Sequence, residues 1–114
     1  MPDRICFVEL PAAATGPSKS FYEGVFDWSM TEFGPTYACT MTGEVDLGVQ
    51  ADAAEAPSAP LPVIQVASLE ECAARVRGAG GTITRAAFGF PGGRRFHFRD
   101  PAGNELAAMQ ADSP

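Results

Sequence analysis

The 114-residue sequence is poor in cysteine and has no long apolar run. Its three cysteines, Cys6, Cys39 and Cys72, are odd in number and widely spaced, which excludes a disulfide framework and a CxxC zinc or redox motif. No apolar run approaches the ~18–20 residues of a membrane span, and the first residues lack the apolar core of a signal peptide. We therefore expect a cytoplasmic protein that does not contact a membrane.

Basic residues are scarce too, since 8 Lys and Arg stand against 14 Asp and Glu, for a net charge of −6. An acidic chain is a poor partner for phosphate backbones, so we expect no binding of nucleic acid. The charge is uneven: residues 1–57 hold 2 basic and 9 acidic side chains, whereas residues 58–114 hold 6 and 5. The single lysine among many arginines and alanines is typical of a GC-rich bacterial genome.

The length allows one domain, 1–114, in which one pattern occurs twice. Residues 4–51 and 62–111 both predict the order β-α-β-β-β, and an alanine- and proline-rich linker, 52–61, joins them. Two curled four-stranded mixed sheets, each backed by a helix, predict an α+β fold. The concave faces of such sheets would surround a cleft, where small molecules bind.

Apolar spacing predicts the elements of each module. In the first, Phe21, Val25 and Trp28 recur at i, i+4 and i+7, Tyr22 and Phe26 widen this apolar stripe, and together they predict a helix that ends near Trp28. Trp28 and Phe33 are expected to line the core or a dimer seam. Strands are predicted at 30–33, 36–42 and 45–50, and in the second module at 62–66, 82–88, 94–99 and 105–109, where Ser68 and Glu71 predict a capping box before the helix.

Several short motifs resemble those of one known family. They are Val8-Glu9-Leu10-Pro11 followed by Phe21-Tyr22, the helix end Ala79-Gly80-Gly81, and the turn Phe98-Arg99-Asp100-Pro101-Ala102-Gly103-Asn104. Together they resemble the vicinal oxygen chelate superfamily, which includes glyoxalase I, bleomycin-resistance proteins and extradiol dioxygenases. The resemblance covers nearly the whole chain. It implies two βαβββ modules around a cleft and, for a chain of this length, a homodimer.

The resemblance also implies a divalent metal held by four side chains, one on each of four strands. Those positions fall on Phe7, Leu61 and Ala107, with the second ligand at about Leu47. None of these side chains has an O, N or S donor of the kind that such cations need. We therefore expect no metal and no other cofactor, and we do not expect metal-dependent glyoxalase or dioxygenase activity.

The one histidine, His97, lies in a predicted strand whose side chains alternate between two faces. Phe96 and Phe98 are predicted to face the helix, which leaves Arg95 and His97 on the cleft side. His97 is then a general base, a hydrogen-bond partner for a ligand, or an ordinary histidine on a partly solvated face. Glu105 shares this face by parity, but its place at the strand start predicts solvation.

Glu9 has the same parity as Phe7 and should also face the cleft. It is either an acid or base with a raised pKa, or the partner of Arg95 or of a second chain in a salt bridge. Cys39 lacks a base to activate it, so a small buried thiol is favoured over a nucleophile.

We predict that the cleft binds a small, partly apolar organic molecule. One alternative is a metal-independent lyase, isomerase or cyclase that uses Glu9 and His97 as acid and base, so whether the protein is an enzyme stays open. Another is a non-catalytic interaction domain. The predicted ligand-binding residues are those that strand parity and the resemblance place on one surface: Phe7, Glu9, Tyr37, Met41, Leu61, Val63, Arg95, His97 and Met109.

Overall fold

The computed structural model describes residues 3–113. The order β-α-β-β-β occurs twice, so the predicted α+β fold of two βαβββ modules is confirmed. The elements are β1 (Arg4–Pro11), α1 (Thr15–Phe26), β2 (Thr31–Glu32), β3 (Tyr37–Cys39), β4 (Asp46–Gln50), β5 (Leu61–Gln65), α2 (Leu69–Gly78), β6 (Thr82–Phe90), β7 (Gly93–Arg99) and β8 (Glu105–Ala111).

The chain divides into two compact units. The N-terminal unit is Phe7–Leu61, and the C-terminal unit consists of the residues from Pro62 onward together with those up to Cys6. In the part of the chain that the structure describes, neither helix is long and apolar enough to cross a membrane.

The N-terminal unit has the strand order β2-β3-β4-β1, with β1 parallel to β4 and the other neighbours antiparallel. Its core consists of Met30, Ala38 and Val49, against which Tyr22 of α1 and Leu47 of β4 pack. Residues Phe7 and Glu9 of β1 lie on the opposite face of the sheet, because successive side chains of a strand alternate. The core therefore lies on one face, and the other face carries no helix of this unit.

Most of the apolar stripe predicted on α1 is exposed. Phe21, Val25 and Trp28 all face solvent, while Tyr22, one position further along, packs on the sheet. The helix also ends earlier than predicted, at Phe26, because Asp27 adopts a left-handed conformation and its N–H donates to the carbonyl of Glu23. Helical periodicity predicts which residues of the helix form an apolar stripe, but it does not tell which of them the sheet covers.

The short strands of the N-terminal unit depart most from prediction. β2 is only Thr31–Glu32, and β3 ends at Cys39 instead of at residue 42. The strand stops because the side chain of Asp46 holds the following turn: Oδ1 accepts hydrogen bonds from Thr40 Oγ1 at 2.7 Å and from Thr42 N at 2.8 Å, and Oδ2 accepts from Gly43 N at 3.0 Å. These side-chain hydrogen bonds replace the backbone hydrogen bonds between strands that a longer β3 would have formed.

The C-terminal unit has the strand order β5-β8-β7-β6, with β5 parallel to β8 and the remaining pairs antiparallel. Ser68 caps α2 by accepting a hydrogen bond at Oγ from Glu71 N at 3.2 Å, as its sequence position predicts. Phe96 is buried beneath this helix and Phe98 packs against the same cluster, so the predicted alternation on β7 is confirmed. The rest of the cluster consists of Val66, Leu69 and Ala108, with Ile64, Cys72, Ala73, Val76 and Ile83 at its edge.

Candidate functional site

The helix-free face of the C-terminal sheet gathers three of the polar residues singled out in the sequence, Arg95, His97 and Glu105. Arg95 and His97 of β7 lie opposite Met109 and Ala107 of β8, and residues paired in this way share a face. On β5, Val63 lies opposite Ala107 and therefore continues the same surface. The structure thus brings together four predicted site residues: Val63, Arg95, His97 and Met109.

His97 is the most buried polar residue of this face, with 6% of its surface exposed. Its Nδ1 lies 3.7 Å from Oε2 of Glu105, and its ring centroid lies 5.8 Å from that of Phe88. Its Nε2 is buried and has no hydrogen-bond partner in the part of the chain that the structure describes. A carboxylate beside Nδ1 favours the tautomer with its proton there, which leaves a lone pair on Nε2.

Burial is the main reason why the pKa of His97 lies below its ordinary value, since it penalises the charged imidazolium. The positive charge of Arg95 lowers this pKa further, Glu105 opposes the shift, and Arg85 adds to it. The ring is therefore neutral near pH 7. A neutral imidazole accepts a hydrogen bond or a proton at Nε2, and it does so without carrying a charge of its own.

Two arginines surround His97, and both lie against aromatic rings. The guanidinium carbon of Arg85 lies 3.7 Å from the ring centroid of Phe88, and that of Arg95 lies 5.3 Å from Phe88 and 5.6 Å from Phe90. Such cation–π contacts hold a guanidinium in place over the ring face. The face therefore carries fixed positive charge beside apolar rings, which suits an anionic group attached to an apolar body.

Glu105 is partly buried instead of solvated, which corrects the sequence prediction. Its Oε2 accepts a hydrogen bond from Thr84 Oγ1 at 2.8 Å and also faces His97. Sequence reasoning missed Arg85 and Phe88 as neighbours of His97 and Thr84 as the partner of Glu105, because the pairing of β6 with β7 shifts register on both sides of Arg85. Strand parity predicted that Glu105 lies on the same face as His97. The register shifts in β6 could not be predicted, because they do not alter the order of apolar residues in the sequence.

In the N-terminal unit, three predicted site residues lie on the helix-free face around Gly48. Glu9 is buried and pairs with Gly48 across β1 and β4. A Cβ atom at Gly48 would meet the ring of Phe7, and it would lie 2.7 Å from the hydroxyl oxygen of Tyr37. The glycine thus leaves room for both side chains. Whether these residues bind a ligand, and whether Glu9 acts as acid or base, stay predictions.

The second metal-ligand position was assigned wrongly to Leu47. Leu47 packs in the core beneath α1, whereas Gly48, which pairs with Glu9, occupies the place that Ala107 has opposite Val63 in the other unit. The position of Leu47 came from aligning the two modules at Gly43 and Gly103. This alignment failed because β4 begins three residues after Gly43, while β8 begins two residues after Gly103. One extra residue in a turn moves every following side chain to the other face.

Three further residues considered in the sequence, Met41, Cys39 and Leu61, differ in their burial or in their contacts. Met41 is beyond the end of β3, exposed, with its Sδ 3.8 Å from Cys39 Sγ. Burial, helped by the negative charge of Asp46, raises the pKa of the Cys39 thiol, which agrees with a thiol that stays protonated and not with a nucleophile. Leu61 is buried at the start of β5.

The residues present do not fit the divalent metal that the resemblance implies. At the four positions the chain has Phe7, Gly48, Leu61 and Ala107, none of which offers a donor atom. The nearest acidic candidate on β4, Asp46, already accepts the hydrogen bonds of its turn. Within residues 3–113, no group of three or more His, Cys, Asp or Glu residues could hold a metal ion.

Comparison with known proteins agrees with this fold. A family model described as "Glyoxalase/Bleomycin resistance protein/Dioxygenase superfamily" matches residues 4–108. No curated protein matches the sequence at a significant level.

Solved structures of similar fold share little sequence with the chain. A hypothetical protein, BH1468, from Bacillus halodurans C-125 has a TM-score of 0.79 at 14% identity, with 100% of this chain and 98% of the other covered. A protein from Legionella pneumophila described as an NAD-dependent benzaldehyde dehydrogenase has a TM-score of 0.74 at 20% identity, with 97% and 100% covered. A superfamily member from Vibrio splendidus 12B01 has a TM-score of 0.68 at 16% identity, with 97% and 100% covered. At these identities the likeness shows the fold alone.

Proposed function

This chain belongs to the glyoxalase/bleomycin resistance protein/dioxygenase superfamily, and on that premise we propose that it binds a small, partly apolar organic molecule without a metal. The proposed site is the helix-free face of the C-terminal sheet around His97. The observation that carries the proposal is the buried Nε2 of His97, which has no hydrogen-bond partner among the described residues. Leaving such an atom unsatisfied is costly, so a ligand that donates a hydrogen bond to it gains affinity.

The neighbours of His97 define the class of ligand. Arg85 and Arg95 supply positive charge that attracts an anionic group such as a carboxylate. Val63 and Met109 supply apolar surface on the same face, and Phe88 supplies an aromatic ring. A molecule with a hydroxyl or N–H donor, a carboxylate and an apolar body complements all three features. Aromatic hydroxy acids are the simplest compounds of this class.

Calorimetric titration with 4-hydroxybenzoate tests the proposal, with benzoate as the analogue that lacks the hydroxyl donor. We expect the hydroxy acid to bind more tightly than benzoate. The variants His97→Phe and Arg95→Ala should each weaken its binding by roughly 5- to 150-fold, because one buried polar contact contributes about 1–3 kcal/mol. Native mass spectrometry of the purified protein would identify the molecule bound in the cell.

Arg94 provides the matched control because it precedes Arg95 on the same strand. Its Nη1 pairs with Oε2 of Glu70 in helix α2 at 2.9 Å, so its side chain serves the helix side of the sheet. Arg94→Ala should therefore leave binding of 4-hydroxybenzoate unchanged. Equal affinities for the wild type, Arg95→Ala and His97→Phe would contradict the proposed site.

A second candidate function is a metal-independent lyase, isomerase or cyclase. The observation that favours it is the neutral His97 with Glu105 beside Nδ1, an arrangement in which Nε2 can remove a proton and return it as an acid. Glu9, the other predicted acid or base, is buried on β1 of the N-terminal unit.

Proton exchange distinguishes this candidate from simple binding. Incubation with candidate hydroxy acids in D₂O, followed by NMR, should show deuterium at a carbon of the ligand if the protein acts by proton transfer. Loss of that exchange in His97→Phe would support a catalytic histidine. Binding without exchange favours sequestration, and the absence of both favours a non-catalytic interaction domain.

A further inference from the structure

Strand β6 is irregular directly beside His97. Ile83 lies opposite Phe98 and Arg85 lies opposite His97, so two steps along β6 correspond to a single step along β7. Thr84 is therefore the extra residue of a β-bulge. Because a bulge re-aims the side chains around it, β6 loses its strict alternation at this point.

The bulge places two consecutive side chains of β6 on the helix-free face. Ile83 packs against the cluster beneath α2, and strict alternation would turn Arg85 to that side as well. Instead, Arg85 lies opposite His97 and shares its face. The hydroxyl of Thr84 reaches the same face, where it donates a hydrogen bond to Oε2 of Glu105 at 2.8 Å. The bulge thus brings Thr84 to the proposed site.

One carboxylate oxygen of Glu105 links Thr84 to His97. This oxygen, Oε2, accepts the hydrogen bond from Thr84 and also lies 3.7 Å from Nδ1 of His97. The second distance is longer than a hydrogen bond, so the contact is electrostatic and depends on where the carboxylate is held. The side chain of Glu105 is 24% exposed, so packing alone does not fix its rotatable bonds. The hydrogen bond from Thr84 supplies that constraint.

An arginine on the same face offers Glu105 another position. Arg99 of β7 lies directly opposite Glu105, and its Nη1 donates to the carbonyl of Gly103 at 2.9 Å. A guanidinium has further N–H donors and attracts a carboxylate strongly. Without the hydroxyl of Thr84, the carboxylate would therefore turn toward Arg99 and away from His97.

We propose that Thr84 is a positioning residue: through Glu105 it keeps the proton of His97 on Nδ1 and makes Nε2 an obligatory hydrogen-bond acceptor. When no carboxylate lies beside Nδ1, a neutral imidazole also populates the tautomer with its proton on Nε2, and that tautomer donates where the first accepts. The site thereby selects ligands that donate a hydrogen bond to His97 over ligands that can only accept one. This selection rests on the proposed function, because it concerns the same site.

Nitrogen-15 NMR of the ligand-free protein tests the tautomer, because His97 is the single histidine of the sequence. In protein made without a histidine tag, the imidazole gives one pair of signals, which couplings to the ring protons assign. At about pH 8, above the usual pKa of histidine, the wild type should carry its proton on Nδ1. Thr84→Val keeps the shape of the side chain but not the hydroxyl. It should raise the ratio of the Nε2 to the Nδ1 tautomer roughly fivefold, a typical effect of one lost hydrogen bond.

Two further variants show whether the hydroxyl itself is responsible. Thr84→Ser keeps the hydroxyl and should restore the wild-type signals. Thr82→Val is the matched control, because Thr82 is exposed on the same strand and lies opposite Arg99 instead of His97. It should leave the tautomer unchanged, and all three variants should keep the wild-type circular dichroism spectrum.

Calorimetric titration with two benzoates tests the selection of ligands. 4-Aminobenzoate carries N–H donors, whereas the ether oxygen of 4-methoxybenzoate can only accept. The wild type should bind the amino compound more tightly. In Thr84→Val the ratio of the two affinities should fall by the same factor as the tautomer ratio changes, because apparent affinity follows the fraction of protein in the competent state. A merely structural role of Thr84 would weaken both compounds alike.

The two measurements separate failure of this inference from failure of the proposed function. If neither compound binds the wild type, the proposed function is wrong, and the selection of ligands is wrong with it. If binding is intact, three results would overturn the role of Thr84. These are a wild type protonated at Nε2, equal tautomer ratios in the wild type and Thr84→Val, or the same change in Thr82→Val.

Discussion

Helix α2 and helix α1 occupy the same position in their βαβββ modules, yet they cover their sheets differently. Leu69 and Val76 of α2 pack on the Phe96 cluster, so its apolar row is used within the unit. The largest apolar row of α1 faces water, and only Tyr22 of its aromatic residues reaches the core. The comparison teaches that one topology can use a helix either to close a core or to present a surface.

The helix-free faces of the two units differ as well. In the C-terminal unit this face carries His97 among arginines and Glu105, and six of the eight basic residues lie in the second half of the sequence. In the N-terminal unit, Gly48 leaves room for Phe7 and Tyr37, and the carboxylate of Asp46 serves a turn. The C-terminal face thus holds a cluster of titratable groups around His97, whereas on the N-terminal face the buried carboxylate of Glu9 shares the surface with Phe7 and Tyr37.

The largest expected effect comes from removing the ring that α2 covers. Phe96→Ala should lower the free energy of unfolding by about 3–5 kcal/mol, because Phe96 is almost completely buried and leaves a cavity. Phe33→Ala, at a half-exposed phenylalanine of the N-terminal unit, should change it by less than about 0.5 kcal/mol. Urea unfolding followed by circular dichroism measures both. If both variants lost the same free energy of unfolding, the helices of the two units would not differ in how they cover their sheets.

Adding one methyl group to the sheet of each unit gives the next largest effect. In Gly93→Ala the new Cβ meets the backbone carbonyl of Gln110, which cannot move without distorting β8, so we expect a loss of about 2–3 kcal/mol. In Gly48→Ala it meets the side chains of Phe7 and Tyr37, which can rotate away at a cost of about 1 kcal/mol. Chemical denaturation at fixed protein concentration compares them.

Removal of the Tyr37 hydroxyl sharpens this second test. The double variant Gly48→Ala, Tyr37→Phe should recover part of the stability lost by Gly48→Ala alone, because the closest oxygen is gone. No recovery, or a larger loss at Gly48 than at Gly93, would mean that the N-terminal face is packed more rigidly than the contacts around Gly48 indicate.

The smallest effect is a pH dependence that arises from His97, the single histidine of the sequence, which lies in the C-terminal unit. Burial and Arg95 lower the pKa of His97 from 6.5, so the unfolded chain takes up the proton first as the pH falls. The contribution of neutral His97 to stability is therefore present above about pH 6.5 and is lost as the pH falls toward the folded-state pKa. The slope cannot exceed about 1.4 kcal/mol per pH unit, because one proton is involved.

Stability curves of the wild type and His97→Gln between pH 8 and 5 measure this effect. The difference in free energy of unfolding between the two proteins should decrease as the pH falls from 6.5 to 5. Carboxylates titrate in both proteins, so their contribution cancels in this difference. Glu105→Gln should extend the loss of stability to lower pH. It removes the negative charge that raises the pKa of His97, while Arg85 and Arg95, which lower this pKa, remain. A constant difference across this range would show that His97 titrates normally.

Much of the fold could be predicted from local sequence signals. The order of elements, the Ser68 cap and the alternation of Phe96, His97 and Phe98 depend on the residues nearby, and all three are confirmed. The placement of Arg95 and His97 on one face followed from strand parity alone. Family membership was readable too, because its motifs are turns and helix ends with local physical requirements.

The sequence by itself determined which side chains alternate and which turns occur, because φ/ψ preferences and hydrophobic period act over a few residues. Only the tertiary structure decided that α1 turns Tyr22 and not Phe21 toward the sheet and that Gly48 and not Leu47 faces Phe7. It also placed Phe88 and Glu105, which accepts a hydrogen bond from Thr84, beside His97. Each of these facts depends on register or rotation between elements distant in sequence. One extra residue in a turn or a bulge sets that register. The register is stabilised by packing between distant elements, which a pattern of neighbouring residues does not reveal.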